Sequence, residues 1–278
     1  MLSESRLYSF IDQTEGFTLH FLEGQKLIHD IALIHHVSGE GFHFFRDTLL
    51  ATQLLLAYLK PGEGLGIYID SNDPYFKFKI EMSELGQMRT LLLPEDFKTF
   101  PKKITGTCRV SKTAPAEKTP YNSIIELNDT PTNDVINKLL ELSYQLKSKI
   151  YLSNESDQAI MISKLPAIEI DKVQTNYTLS VDEYWTKHQD KINSFLAKFS
   201  SDYQEIQHFF ENIGTVMLSA KDVKFKCSCS RERMESGLYS LIKSTGIDHV
   251  FMPDENEIQT KCDYCHEKYH FSRNDFLN

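Results

Sequence analysis

The chain has 278 residues, 41% of them hydrophobic, and a formal net charge of −9. This is enough apolar material for one large domain and a smaller one, and the acidic balance argues against nucleic acid as the main partner, because phosphate binding needs a basic surface. No uncharged apolar run reaches the roughly 20 residues of a membrane span, and the opening MLSESRLYSF is polar and acidic where a secretory leader needs an apolar core, so a soluble cytoplasmic protein is expected.

Residues Glu4 to Leu22 alternate polar and apolar positions, and Phe17, Leu19 and Phe21 share one face, which predicts a strand. His29, His35 and His36 lie in the short apolar segment Ile28 to Val37. With no cysteine or carboxylate motif nearby, they read as packed or surface side chains rather than metal ligands. Phe42 to Leu59 is the strongest helix, apolar around most of its circumference and so expected to be buried. Lys60-Pro61-Gly62 stops it. Three strands follow, Gly64 to Asp70, Tyr75 to Met82 and Gln87 to Leu93, separated by the turns Asn72-Asp73-Pro74 and Glu84-Leu85-Gly86. Phe76, Phe78 and Ile80 alternate with Lys77 and Lys79, which fits a sheet with one solvated face. Further strands are expected at Ile104 to Val110 and Asn122 to Leu127, and a second helix over Thr132 to Lys149. An antiparallel meander beside a buried helix predicts an α+β domain over residues 1 to 170.

After Pro166 the composition shifts. Ile168 to Asn176 looks extended, and Ser180-Val181-Asp182-Glu183 has capping-box spacing. Tyr184, Trp185, His188, Ile192, Phe195, Leu196 and Phe199, then Ile206, Phe209, Phe210 and Ile213, recur at helical intervals. Residues 171 to 222 therefore read as a helical linker with an aromatic stripe and a charged face.

Residues 223 to 278 hold four of the five cysteines, as Cys227-Ser228-Cys229 and Cys262-Asp263-Tyr264-Cys265. Two close thiol pairs suit a tetrahedral zinc site, with Zn–S bonds of about 2.3 Å. In a strand, Cys227 and Cys229 would share a face and grip one ion together. A turn through Asp263 and Tyr264 would do the same for Cys262 and Cys265. Three readings remain open on the residues alone: a structural zinc knuckle, disulfides of a secreted domain, or a thiol switch between the two. The C-x-C half departs from an ordinary zinc ribbon, which pairs two C-x-x-C motifs. Ser230 is placed to cap a helix stopped by Gly246, and Ile258 to Lys261 to form a strand. The segment has few large apolar side chains and needs a staple. The fifth cysteine, Cys108, has no near partner and reads as a buried inert thiol.

The run C-S-C-S-R-E-R-M, a helix-length insert, and then C-D-Y-C-H-E-K-Y-H-F closely resembles the zinc domain of the redox-regulated 33 kDa chaperonin (heat-shock protein 33) family. Residues 1 to 170 resemble it more loosely, through pieces such as G-Q-M-R and K-L-P. The resemblance implies an N-terminal α+β core domain (1–170), a redox-sensitive helical linker (171–222) and a C-terminal zinc domain (223–278). It implies one Zn2+ on Cys227, Cys229, Cys262 and Cys265 in a reduced, inactive protein. Oxidation is then expected to form the disulfides Cys227–Cys229 and Cys262–Cys265, release the metal, loosen the linker and let the protein hold unfolding clients, as a homodimer.

No motif places a nucleophile beside a base, so no enzyme is expected. Gly62-Glu63-Gly64-Leu65-Gly66 precedes a strand rather than a helix and lacks the context of a dinucleotide fingerprint. The rival readings are a thiol–disulfide oxidoreductase, whose C-x-x-C normally opens a helix, and a zinc module that binds a fixed partner.

Overall fold

In the computed structural model, which describes residues 2–277 apart from 38, 40, 95–99, 167–168, 171–172, 175–176 and 253–254, the N-terminal alternation folds as a hairpin. Its strands are β1 (Arg6–Asp12) and β2 (Phe17–Glu23), and the reversal between them uses Gly16 at φ 76°. Helices α1 (Gln25–His35) and α2 (Gly41–Leu54) follow, with α2 continuing as a 3₁₀ turn over Leu55–Tyr58. The expected meander is β3 (Gly64–Asp73), β4 (Tyr75–Ser83) and β5 (Gln87–Leu93), extended by β6 (Lys103–Thr113) and β7 (Tyr121–Pro131).

The helix expected over Thr132 to Lys149 is the main correction. A 3₁₀ turn at Thr132–Asp134 leads into a short α3 (Val135–Leu139) and a π turn at Leu140–Tyr144. Gln145 then enters the left-handed region at φ 53° and ends it. The remaining residues form β8 (Ser148–Leu152), because Ile150 and its neighbours pair with β9 (Gln158–Lys164) in the register Ile150↔Met161. Local spacing favoured a helix here, and sheet pairing overrides it.

Within Ile168 to Asn176, expected to be extended, β10 (Glu169–Ile170) pairs with β11 (Val173–Gln174). Residues 168, 171–172 and 175–176 lie outside the described residues. Then come α4 (Val181–Leu196), α5 (Tyr203–Asn212), β12 (Val216–Asp222) and β13 (Lys224–Phe225). Last are α6 (Arg231–Thr245), α7 (Ile247–Val250), β14 (Glu257–Lys261) and β15 (Lys268–Ser272). The chain divides into two compact units, Met1–Phe225 and Lys226–Asn278.

The first unit is layered. One sheet runs β12-β1-β2-β9-β8 and the other β13-β5-β4-β3-β6-β7. Between them sit α1, α2 and α3, in a core built from Leu22 and Met161 of the first sheet, Phe45 and Leu50 of α2, and Ile67, Phe78 and Val110 of the second. The opposite face of the first sheet carries Tyr8, Phe10, Phe17, Leu19, Phe21, Ile160 and Ile162, and α4 and α5 cover it. Strands β1, β2 and β9 are therefore buried on both faces. Side chains alternate across a strand, so Leu22 points to one core and Phe21 to the other.

Helices α4 and α5, in the stretch expected to be a linker, belong to the first compact unit and dock on its sheet by aromatic packing and a few polar anchors. Ser180 makes a complete capping box with Glu183, and Asp202 caps α5 through Glu205 N–H. Tyr184 donates to buried Asp12 at 3.0 Å, and Gln158 donates to Ser200 O at 2.8 Å. Phe10 stacks on Phe210 at 4.5 Å and Trp185 on Tyr151 at 3.7 Å. Phe195 and Phe210 are buried, Trp185 and Phe209 are partly so, and Phe199 stays exposed. No helix of the described residues is long and apolar enough to cross a membrane.

Candidate metal centre

Among its described residues the second unit has one small apolar cluster. Leu238, Phe251, Phe271 and Phe276 are buried in it, with Met234, Ile242, Ile247, Val250, Ile258 and Tyr269 packed partly buried against them. Helix α6 starts at Ser230, whose hydroxyl accepts from Arg233 N–H, and stops at Gly246, where φ is 94°. Strands β14 and β15 pair antiparallel from Glu257↔Ser272 to Lys261↔Lys268. The loop between them is the C-x-x-C-H-E segment. It is closed by Cys262 N–H to Glu267 O at 2.9 Å and His266 N–H to Cys262 O at 2.8 Å, and His266 takes φ 61° to make the reversal.

Cys227 and Cys229 lie in the irregular segment 226–230 before α6, not in a strand as expected. A side chain fixes their loop instead. Arg233 Nη1 donates to Ser228 O at 2.6 Å and to Ser228 Oγ at 2.7 Å, straddling the residue between the two cysteines. Arg231 ties the same end to β15, donating to His270 O and lying 4.5 Å over the Phe271 ring.

These elements bring the sulfurs of Cys227, Cys229, Cys262 and Cys265 together, all within 4.8 Å of one another. Cys227 Sγ is 3.7 Å from Cys262 Sγ, and Cys229 Sγ is 3.3 Å from Cys265 Sγ. All four are free thiols; Cys262 is buried and the others are half-buried. A tetrahedral ion with bonds of about 2.3 Å spaces its sulfurs about 3.8 Å apart, so the cluster needs only small shifts to close on one metal. The donor set, four soft sulfurs and no carboxylate, suits zinc. The N-terminus of α6 and the guanidinium groups of Arg231 and Arg233 supply positive potential next to sulfurs that must lose their protons to bind.

The electrostatics set Cys229 apart from Cys227 and Cys265. Burial pushes Cys227 and Cys265 above the ordinary thiol value; a backbone hydrogen bond, from Cys229 and Glu267 respectively, opposes it, and the neighbouring thiols add to the rise. At Cys229 burial also raises, but hydrogen bonding from Tyr269 and the neighbouring thiols outweighs it and the net shift is downward. Tyr269 donates its hydroxyl to Cys229 Sγ at 3.2 Å. Motif reasoning assigned no role to Tyr269, Arg231 or Arg233. Their signal is the register of β14 against β15 and the position of Ser228, neither of which is local to the cysteines. Cys108 is in β6, fully buried in the first unit, and burial pushes its thiol up to about 12. His35 is buried and shares a 2.7 Å hydrogen bond with Thr90, a packing role rather than a ligand's.

A family model described as "Hsp33 protein" matches residues 5–272. The chain is 27% identical over 286 residues to a 33 kDa chaperonin of Limosilactobacillus fermentum, covering 97% of this chain and 96% of that protein. It is 23% identical over 258 residues to a 33 kDa chaperonin of Proteus mirabilis, covering 88% and 85%. Among solved structures it resembles the 33 kDa chaperonin (heat shock protein 33 homolog) of Thermotoga maritima, with TM-score 0.74, 16% identity, and coverage of 98% and 96%. That likeness extends the shared fold over nearly the whole chain.

Proposed function

This chain belongs to the Hsp33 family, and from that premise we propose that it is a redox-regulated holdase chaperone, not an enzyme. Its cofactor in the reduced state is one Zn2+, held by Cys227, Cys229, Cys262 and Cys265. Bound there, Zn2+ would crosslink the two cysteine motifs of the second unit. The observation that carries this reading is the four-sulfur cluster in a unit whose apolar core is one small cluster around Leu238, Phe251, Phe271 and Phe276. A structural zinc site contributes roughly 10–16 kcal/mol of apparent binding free energy at neutral pH, comparable with the whole stability of a domain.

Oxidation removes the ligands. Each pair of thiols gives two electrons and two protons to peroxide, which leaves as two waters while one S–S bond forms. We assign the bonds Cys227–Cys229 and Cys262–Cys265. In the folded unit two sulfur contacts run across these pairs, Cys227–Cys262 at 3.7 Å and Cys229–Cys265 at 3.3 Å. Once the unit loosens, however, the cross pairs separate along residues 230–261, while each motif keeps its own two thiols tethered. The C-x-x-C bond closes first, because a C-x-C ring is tighter. With the second unit unfolded, α4 and α5 loosen on their sheet. The aromatic face of Trp185, Phe195, Phe209 and Phe210 then becomes available to unfolding client proteins, beside Phe199, which was expected to be uncovered with them but is already exposed in the folded chain. The oxidised protein is a homodimer, and the compartment is the cytoplasm, where thiols begin reduced.

The test is suppression of aggregation of a thermally unfolding client, with reduced and peroxide-treated protein side by side. Protection only after oxidation supports the switch. Equal protection in both states contradicts it, and turnover of a disulfide substrate without protection would indicate an oxidoreductase.

A further inference from the structure

We propose that His188 is a proton switch in the docking of α4: its protonation releases the helix from the sheet without oxidation of any cysteine. The device goes beyond the redox reading and rests on it only for the use made of the face it uncovers.

His188 stands in the middle of the docking stripe of α4, one turn from Tyr184 and one from Ile192. It is 7% exposed, and its ring centre lies 4.7 Å from that of Tyr184. Its Nε2 is closed to solvent and has no hydrogen-bond partner among the described residues. With the ring neutral, that nitrogen costs one unmet hydrogen bond. With the ring charged, it carries an N–H and part of a full charge, and nothing there receives either. The sheet face under α4 is apolar, with Phe17 and Leu19 of β2 and Ile160 and Ile162 of β9, and α5 adds Ile206 and Phe210.

The charged groups lie around the rim. Asp12 at the end of β1 and Glu15 in the turn after it favour a charged ring, and Lys187 and Lys191 of α4 oppose it. Both carboxylates are already engaged. Asp12 accepts from the Tyr184 hydroxyl and from the N–H groups of Thr14 and Glu15, and Glu15 accepts from Lys187 at 2.6 Å. Lys164 at the end of β9 is turned to the carbonyls of Tyr177 and Leu179. Burial, seconded by Lys187, outweighs the carboxylates and holds the docked imidazole below its ordinary value. A released His188 titrates near its ordinary value of about 6.5, so the docked helix binds fewer protons than the released one. The docking free energy tied to this ring is therefore full above about pH 6.5 and is lost as pH falls below it. Each pH unit below that point raises the ratio of released to docked helix by up to about tenfold. His20, buried on the opposite face of the same sheet, is lowered to about 4 and stays neutral over this range.

The experiment is hydrogen exchange on the reduced, zinc-loaded, full-length chain at about pH 7.5 and about pH 5.5, either side of the ordinary histidine value. Wild type, His188→Leu and His188→Gln are compared, and each rate is divided by the intrinsic amide rate at its own pH. In the wild type, protection of α4 should fall about tenfold at the lower pH, with zinc bound and the thiols still free. In both variants it should fall by no more than about twofold, because neither side chain can take up a proton. Glu23 gains its proton over the same range in all three chains, so its contribution cancels in the comparison. Equal wild-type protection at the two pH values overturns the proposal. So does a tenfold fall that persists in either variant, a fall in all three chains that accompanies loss of zinc, or failure of both variants to dock α4 at the higher pH. If only one variant folds, that one decides. A wild type that opens at low pH but holds no client after peroxide would sink the redox reading and leave the proton switch standing.

Discussion

At the scale of single residues, Cys227, Cys229, Cys262 and Cys265 are each expected to be indispensable, because a tetrahedron with three sulfurs has lost a bond that no neighbouring carboxylate replaces. Cys→Ser at any one should lower bound zinc well below one per chain, read by metal analysis after gel filtration. Full retention in a variant would remove that residue from the site. Cys108→Ala should leave zinc content and peroxide sensitivity unchanged, since its thiol is buried and held protonated. Glu23 gives a pH test in the first unit. Burial pushes its carboxyl from 4.5 up to about 7; the Gln25 N–H opposes the rise and Asp157 adds to it. The folded chain therefore keeps a proton there that the unfolded chain gives up above about pH 4.5. The stability tied to that proton is full below pH 4.5 and is lost as pH climbs to 7. Glu23→Gln can still accept from Gln25 and cannot ionise. It should unfold like the wild type near pH 4.5 and be more stable by about 2 kcal/mol at pH 8, measured by denaturant titration of Trp185 fluorescence. A variant with the wild-type slope would show Glu23 already ionised in the folded protein.

At the scale of elements, α4 and α5 matter most, because they are held mainly by aromatic packing on one sheet face. Phe210 is buried against Phe10, Phe21 and Phe195. Phe210→Ala should cost about 3–5 kcal/mol and lower the temperature at which peroxide-treated protein begins to suppress aggregation. Phe199→Ala, at a residue 55% exposed, should stay within about 0.5 kcal/mol of wild type. The same elements show what was legible in the chain. The capping box at Ser180 and the stripes of α4 and α5 are local signals, and the helices form where those signals stand. Strand β12 has no such signal. Its residues are mostly exposed, and it exists because its backbone pairs with β1 more than 200 residues away, Arg6 opposite Asp222. The break after Tyr144 failed for the same reason, since β8 is decided by β9. At the cysteines, motif spacing was enough to bring four sulfurs into view. The loop geometry set by Arg233 and the Tyr269 contact depended on tertiary register and was not.

At the scale of the whole molecule, the two units differ in what stabilises them. The first unit has two extensive apolar cores; the second has one small cluster and the four cysteines. Chelation of zinc from the reduced protein should therefore unfold 226–278 while the strands of the first unit stay protected. Exposed ion pairs such as Lys187–Glu15 and Lys149–Asp182 contribute little to holding the linker. In the proposed mechanism the linker is thus the next part to yield. The most direct measurement of that claim is hydrogen exchange over residues 181–222 in reduced zinc-loaded protein and in peroxide-treated protein, run beside the client assay on the same samples. The account predicts strong protection of α4, α5 and β12 in the reduced protein, and loss of that protection on oxidation in step with client holding and a red shift of Trp185 as its stack on Tyr151 opens. Equal protection of this segment in both states, with the oxidised protein still preventing aggregation, would contradict it.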